Sequence, residues 1–265
     1  MAVSVTAPLP LATTRRGAGP TLVLVHPLGG DRHVWDPVLD LLAGEFDCLA
    51  VDMPGFGGSP QLPATVAARP AALAAAIDST LDRLGVGAAH VTGISLGGWV
   101  ALELGKLPRA RSVTAICPAG LWSQPLGPRP SHARTAARAL RPLLPLAVRS
   151  RRFRAAAFAG RAARPATLNP ATALRALRAW TDAPGFDRAN AAMRAETFTG
   201  IEEIAAPVTL AWGELDTYVG PPRRPLPVAR SVTLEGCAHI PVWDDPAAVA
   251  TLLRSSATLA ATPAS

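Results

Sequence analysis

The chain of 265 residues has no apolar run long enough to cross a bilayer, which excludes a membrane-spanning helix. Cysteine is scarce and odd in number. Cys48, Cys117 and Cys237 lie far apart, which argues against a disulfide framework and leads us to expect a reducing, cytoplasmic setting. There is no C-x-x-C pair and no histidine cluster, so no metal site and no cofactor are expected. Lysine is nearly absent: of 26 basic side chains only Lys106 is a lysine. Acidic residues are missing altogether between Lys106 and Thr181. The net charge of +7 comes without any nucleic-acid-binding motif, so a nucleic-acid partner is not expected. The first twenty residues hold Pro8, Pro10 and Pro20 and no continuous apolar stretch, and are not read as a signal peptide. There are no internal repeats.

What is present is an alternation of apolar runs and helical stripes. Short opening strands are expected at Val3 to Val5 and Leu11 to Thr14. Thr21 to Val25 is apolar without alternation, as a strand covered on both faces should be. It runs into His26-Pro27-Leu28-Gly29-Gly30, and Asp31 or Asp36 is placed to cap a helix reaching Leu42. A strand over Phe46 to Asp52 leads into the Gly-rich turn Met53 to Ser59. Ala64 to Leu84 carries an apolar stripe at Leu73, Ile77, Leu81 and Leu84 and predicts a long helix. Further strands are expected at Ala88 to Thr92, Ser112 to Cys117, Val208 to Trp212 and Ser231 to Leu234. A last helix spans Asp245 to Leu253, and the tail from Ser255 is expected to fray. Alternation of this kind predicts an α/β fold with a mainly parallel central sheet flanked by helices. Ligands then bind beyond the carboxyl ends of the strands, where His26, Asp52, Ser95 and Cys117 fall.

The rhythm breaks between residues 121 and 204. Helices are expected over Ser131 to Val148 (interrupted at Pro142 and Pro145), Ser150 to Ala163, Ala171 to Trp180 and Arg188 to Phe198. We therefore expect a core of residues 1–120 and 205–265 and a helical lid insertion at 121–204, over the carboxyl edge.

At the centre of the chain stands Gly93-Ile94-Ser95-Leu96-Gly97, a G-x-S-x-G between a strand and a helix. The turn forces Ser95 into a strained backbone and presents its hydroxyl above the sheet edge, while the Leu96 N–H opens a helix and is free to donate to an anion. A nucleophilic serine needs a base, an acid to orient the base, and donors for the oxyanion. Two histidines follow Ser95: His132, inside the insertion, and His239, after a strand in a Gly-containing loop. No acid is available at the end of the Cys117 strand. Asp216 follows the next one, with Glu214 as its rival. The chain order is then Ser95, Asp216, His239.

With these pieces in place the chain resembles the α/β-hydrolase fold family, in particular its lid-bearing esterases. The matching segments are His26 to Gly30, Asp52 to Ser59, Gly93 to Gly97, Trp212 to Asp216 and Gly236 to Pro241, in family order. The resemblance implies Ser95 as nucleophile, His239 as base, Asp216 as acid, and the backbone N–H groups of Leu28 and Leu96 as oxyanion hole. The family loop usually reads His-Gly where this chain has His26-Pro27; Pro27 has no N–H, but the implied donor is the next residue. His26, Cys117, Trp122 and Ile240 are candidates to line the substrate site. His26 and Asp52 also read as scaffold for their loops, and Cys117 and Cys237 as buried packing residues.

The reading that follows is a serine hydrolase cleaving an ester, thioester, lactone or related activated carbonyl of a small apolar molecule through an acyl-enzyme, as a monomer or homodimer without a membrane partner. Carbon–carbon bond hydrolysis and cofactor-free perhydrolysis run on the same triad. A ligand-binding protein with the same fold is the alternative of another class. Epoxide and haloalkane hydrolysis are disfavoured, because the relatives that perform them carry a carboxylate where Ser95 stands. From Lys106 to Thr181 there are fifteen basic side chains. They either coat the outer faces of the lid helices or draw an anionic substrate to the cleft, with Arg149 to Arg154 as its docking point.

Overall fold

Two hydrophobic layers sandwich a sheet of seven strands among the described residues. Along each inner strand successive side chains enter opposite layers, as the two-residue period of a strand requires. The computed structural model describes residues 9–129, 132–222, 226 and 229–260. Its strands are β1 (Thr13–Arg16), β2 (Thr21–Val25), β3 (Asp47–Val51), β4 (Ala89–Ile94), β5 (Ala110–Ile116), β6 (Val208–Gly213) and β7 (Ala229–Leu234). They lie in the order β1-β3-β2-β4-β5-β6-β7, with β1 antiparallel to β3 and every other pair parallel.

Val23, Leu49, Val91 and Val113 face the layer built from α2 (Pro70–Arg83) and α3 (Leu96–Gly105). Leu22, Leu24, Cys48, Ala50 and Ile116 face α1 (Asp36–Leu42) and α9 (Pro246–Leu259). This explains why the parallel strands read as unbroken apolar runs: both faces are covered. Full burial of each such aliphatic side chain contributes roughly 1.5–3 kcal/mol, and β2 through β6 are buried over nearly all their length.

Between β5 and β6 the chain makes α4 (His132–Ala139), a 3-10 turn at Arg141–Leu143, the single turn α5 (Leu144–Ala147), α6 (Arg151–Ala157), α7 (Pro170–Asp182) and α8 (Phe186–Arg194). Pro142 and Pro145 do break this region, each standing in the first turn of a new short helix. The insertion has a small core of its own: Leu144, Val148, Phe158, Leu168, Ala173 and Leu177.

Three expectations are corrected. Helix α2 starts at Pro70 rather than Ala64, because Pro70 fits the first helical position and holds Arg69 before it in extended backbone (ψ 152°). The tail does not fray at Ser255: α9 continues to Leu259, with Ser256 buried against the core and Asp245 capping the Ala248 N–H at 2.8 Å. The second opening strand sits two residues later than expected, at Thr13–Arg16. The strand expected at Val3 to Val5 lies outside the described residues. No helix among the described residues is long and apolar enough to cross a membrane.

Candidate active site

The strand order reverses direction between β2 and β4, which creates a crevice at their carboxyl ends. The loop His26 to Gly30 leaves β2 on one side of it, and Ser95 leaves β4 on the other. Ser95 has φ 58° and ψ −118°, a conformation that side-chain-bearing residues rarely adopt. The surrounding glycines make it possible. A Cβ at Gly93 would overlap the carbonyl of Gly97, and one at Gly97 would overlap the carbonyls of Val25 and His26. The strained turn is held by hydrogen bonds on both sides: the Ser95 N–H donates to the Ile116 carbonyl at 2.9 Å, and the Ala119 N–H donates to the Ser95 carbonyl at 3.0 Å. Helix α3 begins directly afterwards, so the Leu96 N–H has no partner within the helix.

Two neighbouring strands bring the other polar groups to the same edge. Asp216, in the turn after β6, accepts from His239 Nδ1 at 2.8 Å through Oδ2. Its Oδ1 accepts the N–H groups of Tyr218 at 2.7 Å and Val219 at 3.1 Å. Burial pushes the Asp216 carboxyl up, but the hydrogen bonds and charge from His239 and those two amides outweigh it and hold it below the ordinary carboxylate range. Because a carboxylate accepts at Nδ1, the imidazole carries its proton there, and Nε2 keeps a free lone pair. Glu214, the rival acid, is exposed and accepts the Gly236 N–H at 2.8 Å. The structure thus pairs His239 with Asp216 and not with Glu214.

Cys117 completes this cluster. Its thiol, the Asp216 carboxylate and the His239 ring each offer an atom within 4.8 Å of the others. The residue is fully buried, has φ 44°, and its sulfur accepts the Gly213 N–H at 3.4 Å. Burial and the negative charge of Asp216 push the thiol far up, so it is protonated and faces the carboxylate as a weak donor. Cys, Asp and His are possible ligands for a metal ion. Here the Asp216 carboxylate and His239 Nδ1 are bonded to each other, so a metal ion would have to displace that hydrogen bond to take both as ligands.

The other predicted residues fall as follows. His26 is fully buried with both ring nitrogens engaged: Nε2 accepts the Met53 N–H at 2.9 Å, so Nδ1 donates to the Pro27 carbonyl at 2.9 Å. No ring nitrogen of His26 is left to bond a ligand. Burial lowers its pKa and keeps it neutral. Asp52 organises the Gly-rich turn, accepting the Arg32 N–H at 2.6 Å and the Gly58 N–H at 2.8 Å and pairing with the Arg32 side chain. Trp122 donates from Nε1 to the Glu196 carbonyl at 2.9 Å and meets Trp99 edge-on. Ile240 is buried, and its N–H donates to the Arg161 carbonyl at 2.8 Å. The Leu28 N–H, at the mouth of the first loop, has no acceptor among the described residues.

Tyr218 escaped the sequence reading. Its ring stacks on His239, with centroids 5.2 Å apart and planes at 26°, and its hydroxyl donates to the Ala159 carbonyl at 3.3 Å. The available signal was that the chain's single tyrosine stands two residues after Asp216, the spacing at which a backbone N–H bonds back to an aspartate.

The helical insertion touches this edge directly. The His239 N–H donates to the Gly160 carbonyl at 3.3 Å. The Trp180 ring packs on Gly29 so closely that a Cβ there would lie 2.8 Å from it. Gly185 donates to the Gly55 carbonyl at 2.9 Å. Ser95 and His239 are buried at this edge, 9% and 7% exposed. Within the Arg149 to Arg154 cluster, Arg149, Arg151 and Arg152 are exposed, whereas Arg154 is buried in the insertion, bonding the carbonyls of Val148, Arg149 and Ala166.

Known proteins match the chain to different degrees. An acetyltransferase component of an acetoin-cleaving system from Cupriavidus necator is 39% identical over 110 residues, which is 40% of this chain and 29% of that protein. An epoxide hydrolase from Mycobacterium tuberculosis is 54% identical over 54 residues, 20% of this chain and 25% of the relative. The matches therefore span less than a third of either relative's length. An esterase structure from Thermogutta terrifontis superposes with a TM-score of 0.71 at 21% identity, covering 96% of this chain and 95% of that one, and shows the shared fold. The model of the alpha/beta hydrolase family matches residues 22–252. The chain belongs to the alpha/beta hydrolase family.

Proposed function

We propose that the protein is a serine hydrolase acting on an ester, thioester, lactone or related activated carbonyl of a small, mostly apolar molecule. The observation that carries this reading is the His239–Asp216 hydrogen bond of 2.8 Å at the edge where Ser95 is held at φ 58°. In this mechanism the Ser95 hydroxyl attacks the carbonyl carbon while His239 Nε2 takes its proton. Asp216 holds the ring in the tautomer that leaves Nε2 free and stabilises the imidazolium. The N–H groups of Leu28 and Leu96 receive the oxyanion, helped by the positive end of α3. The His239 proton passes to the leaving group, giving an acyl-enzyme. Water, deprotonated by the same nitrogen, then releases the acid.

The match to an epoxide hydrolase raises a second reading, which the chemistry at Ser95 opposes. A carboxylate that opens an epoxide forms an ester, and water can hydrolyse it. A serine that opens one forms an ether, which this machinery cannot cleave. Carbon–carbon hydrolysis and perhydrolysis keep the same triad and differ in the substrate or the second nucleophile.

Residues 121–204 serve as a lid in this reading. The support is their contacts with the His239 loop and with Gly29, together with the near-complete burial of Ser95. Substrate then enters only when those contacts part.

A fluorophosphonate probe followed by peptide mass spectrometry tests the nucleophile. The expected product is a single adduct on Ser95, absent from Ser95→Ala. Folded protein that stays unlabelled would support a ligand-binding role instead.

A further inference from the structure

Three of the large apolar side chains most open to solvent stand within seven residues of one another in the helical insertion. Leu140 is 56% exposed, Leu143 59% and Leu146 69%. Their spacing of three runs through the 3-10 turn at Arg141–Leu143 and into the α-helical turn α5; side chains three apart eclipse in a 3-10 turn and are surface neighbours on an α-helix. The opposite face is the buried one, carrying Leu144 and Val148 into the insertion's own core. Pro142 and Pro145 fix the backbone of both short helices, so the leucines form a stiff ridge. Isolated exposed leucines are ordinary, but three on one face are not.

The ridge is flanked by cations. Arg134 and Arg154 are buried and bonded to backbone carbonyls, and Arg141 pairs with Asp182 at 2.7 Å. Arg138, Arg149, Arg151 and Arg152 are exposed and have no acidic partner among the described residues. No acid occurs in the sequence between Lys106 and Thr181 to neutralise them.

We propose that this ridge docks the protein on an anionic lipid surface, with Leu140, Leu143 and Leu146 entering the acyl region and the four arginines meeting the headgroups. A second copy of the chain fits poorly, because a two-fold contact on this ridge would set the same arginines opposite one another. A protein partner would need a groove shaped for three protruding leucines, whereas a fluid acyl layer needs none. Apolar insertion combined with basic residues is the combination that holds surface-bound elements on anionic membranes. The docking is peripheral, which narrows the expectation of no membrane partner to the absence of a span. It does not depend on the catalytic reading, so a Ser95→Ala protein should bind equally well.

The test is co-sedimentation of the full chain with vesicles of phosphatidylcholine alone, or with one third phosphatidylglycerol. Binding is expected to the anionic vesicles only, and to weaken as salt rises. The pairs Leu143→Ser with Leu146→Ser, and Arg149→Glu with Arg151→Glu, should each lower it at least about tenfold. Circular dichroism and melting should stay at wild-type values, since all four side chains are exposed. Three results would overturn the proposal: no binding to anionic vesicles, binding that the leucine pair leaves unchanged, or a protein dimer in solution that the leucine pair abolishes.

Discussion

Ser95 and Cys117 end adjacent parallel strands with the same backbone anomaly. They have φ 58° and 44°, and among the described residues they are the two non-glycine positions with positive φ. The strands pair Ile94 with Ile116 immediately before them. Each such residue costs about 1–3 kcal/mol of strain, which the rest of the fold must hold in place. At Ser95 the strain lifts the hydroxyl off the sheet. At Cys117 it accompanies a thiol set between the Gly213 N–H and the Asp216 carboxylate.

Cys117 is therefore expected to help position the acid. Cys117→Ala removes a weak donor to a charged group, and kcat should fall about three- to tenfold. Cys117→Ser, which keeps a hydroxyl donor, should recover part of the loss. Steady-state rates for the two variants at matched folding decide this. Equal rates for Cys117→Ala and wild type would reduce the residue to packing.

The choice between the two acids has a larger signature. Asp216→Asn should stabilise the wrong imidazole tautomer and lower kcat by about four orders of magnitude. Glu214→Gln, on an exposed side chain, should change it less than about threefold. The same carboxylate gives a stability signature. Its pKa is depressed in the folded state, so its contribution is present above the unfolded value and is lost as pH falls through the folded one. The melting temperature of wild type should accordingly fall more steeply below about pH 4 than that of Asp216→Asn. Parallel curves would mean that Asp216 gains nothing from its partners.

All three cysteines should be inert in the native protein. Cys48, Cys117 and Cys237 are buried, and burial pushes the thiols of Cys48 and Cys237 up to about 11 and that of Cys117 further. A colorimetric disulfide reagent at pH 8 should find almost no thiol in folded protein and three after denaturation. A fast-reacting thiol in the native state would contradict the packing around β3, β5 and the His239 loop.

Much of the fold could be read along the chain because its causes are local. Thr21 to Val25 has to be a doubly covered strand, and Gly93 and Gly97 mark a close approach before any partner is known. Asp216 and His239 were reachable from chain order once the Cys117 strand had no acid to offer. What could not be read depends on register across strands. Nothing near Cys117 in sequence says that β6 delivers Asp216 beside its sulfur. His26 reads as a polar group at a strand end until Met53 is seen to occupy its Nε2. Arg154 looks like its neighbours Arg151 and Arg152, yet the turn of α6 buries it while they stay exposed.

The central claim is that the Ser95 hydroxyl performs the chemistry, and turnover by Ser95→Ala tests it most directly. Esters of graded acyl length, assayed beside wild type with the fold checked by circular dichroism, should show a loss of about four to six orders of magnitude in kcat. Activity within tenfold of wild type in the correctly folded variant would contradict the account.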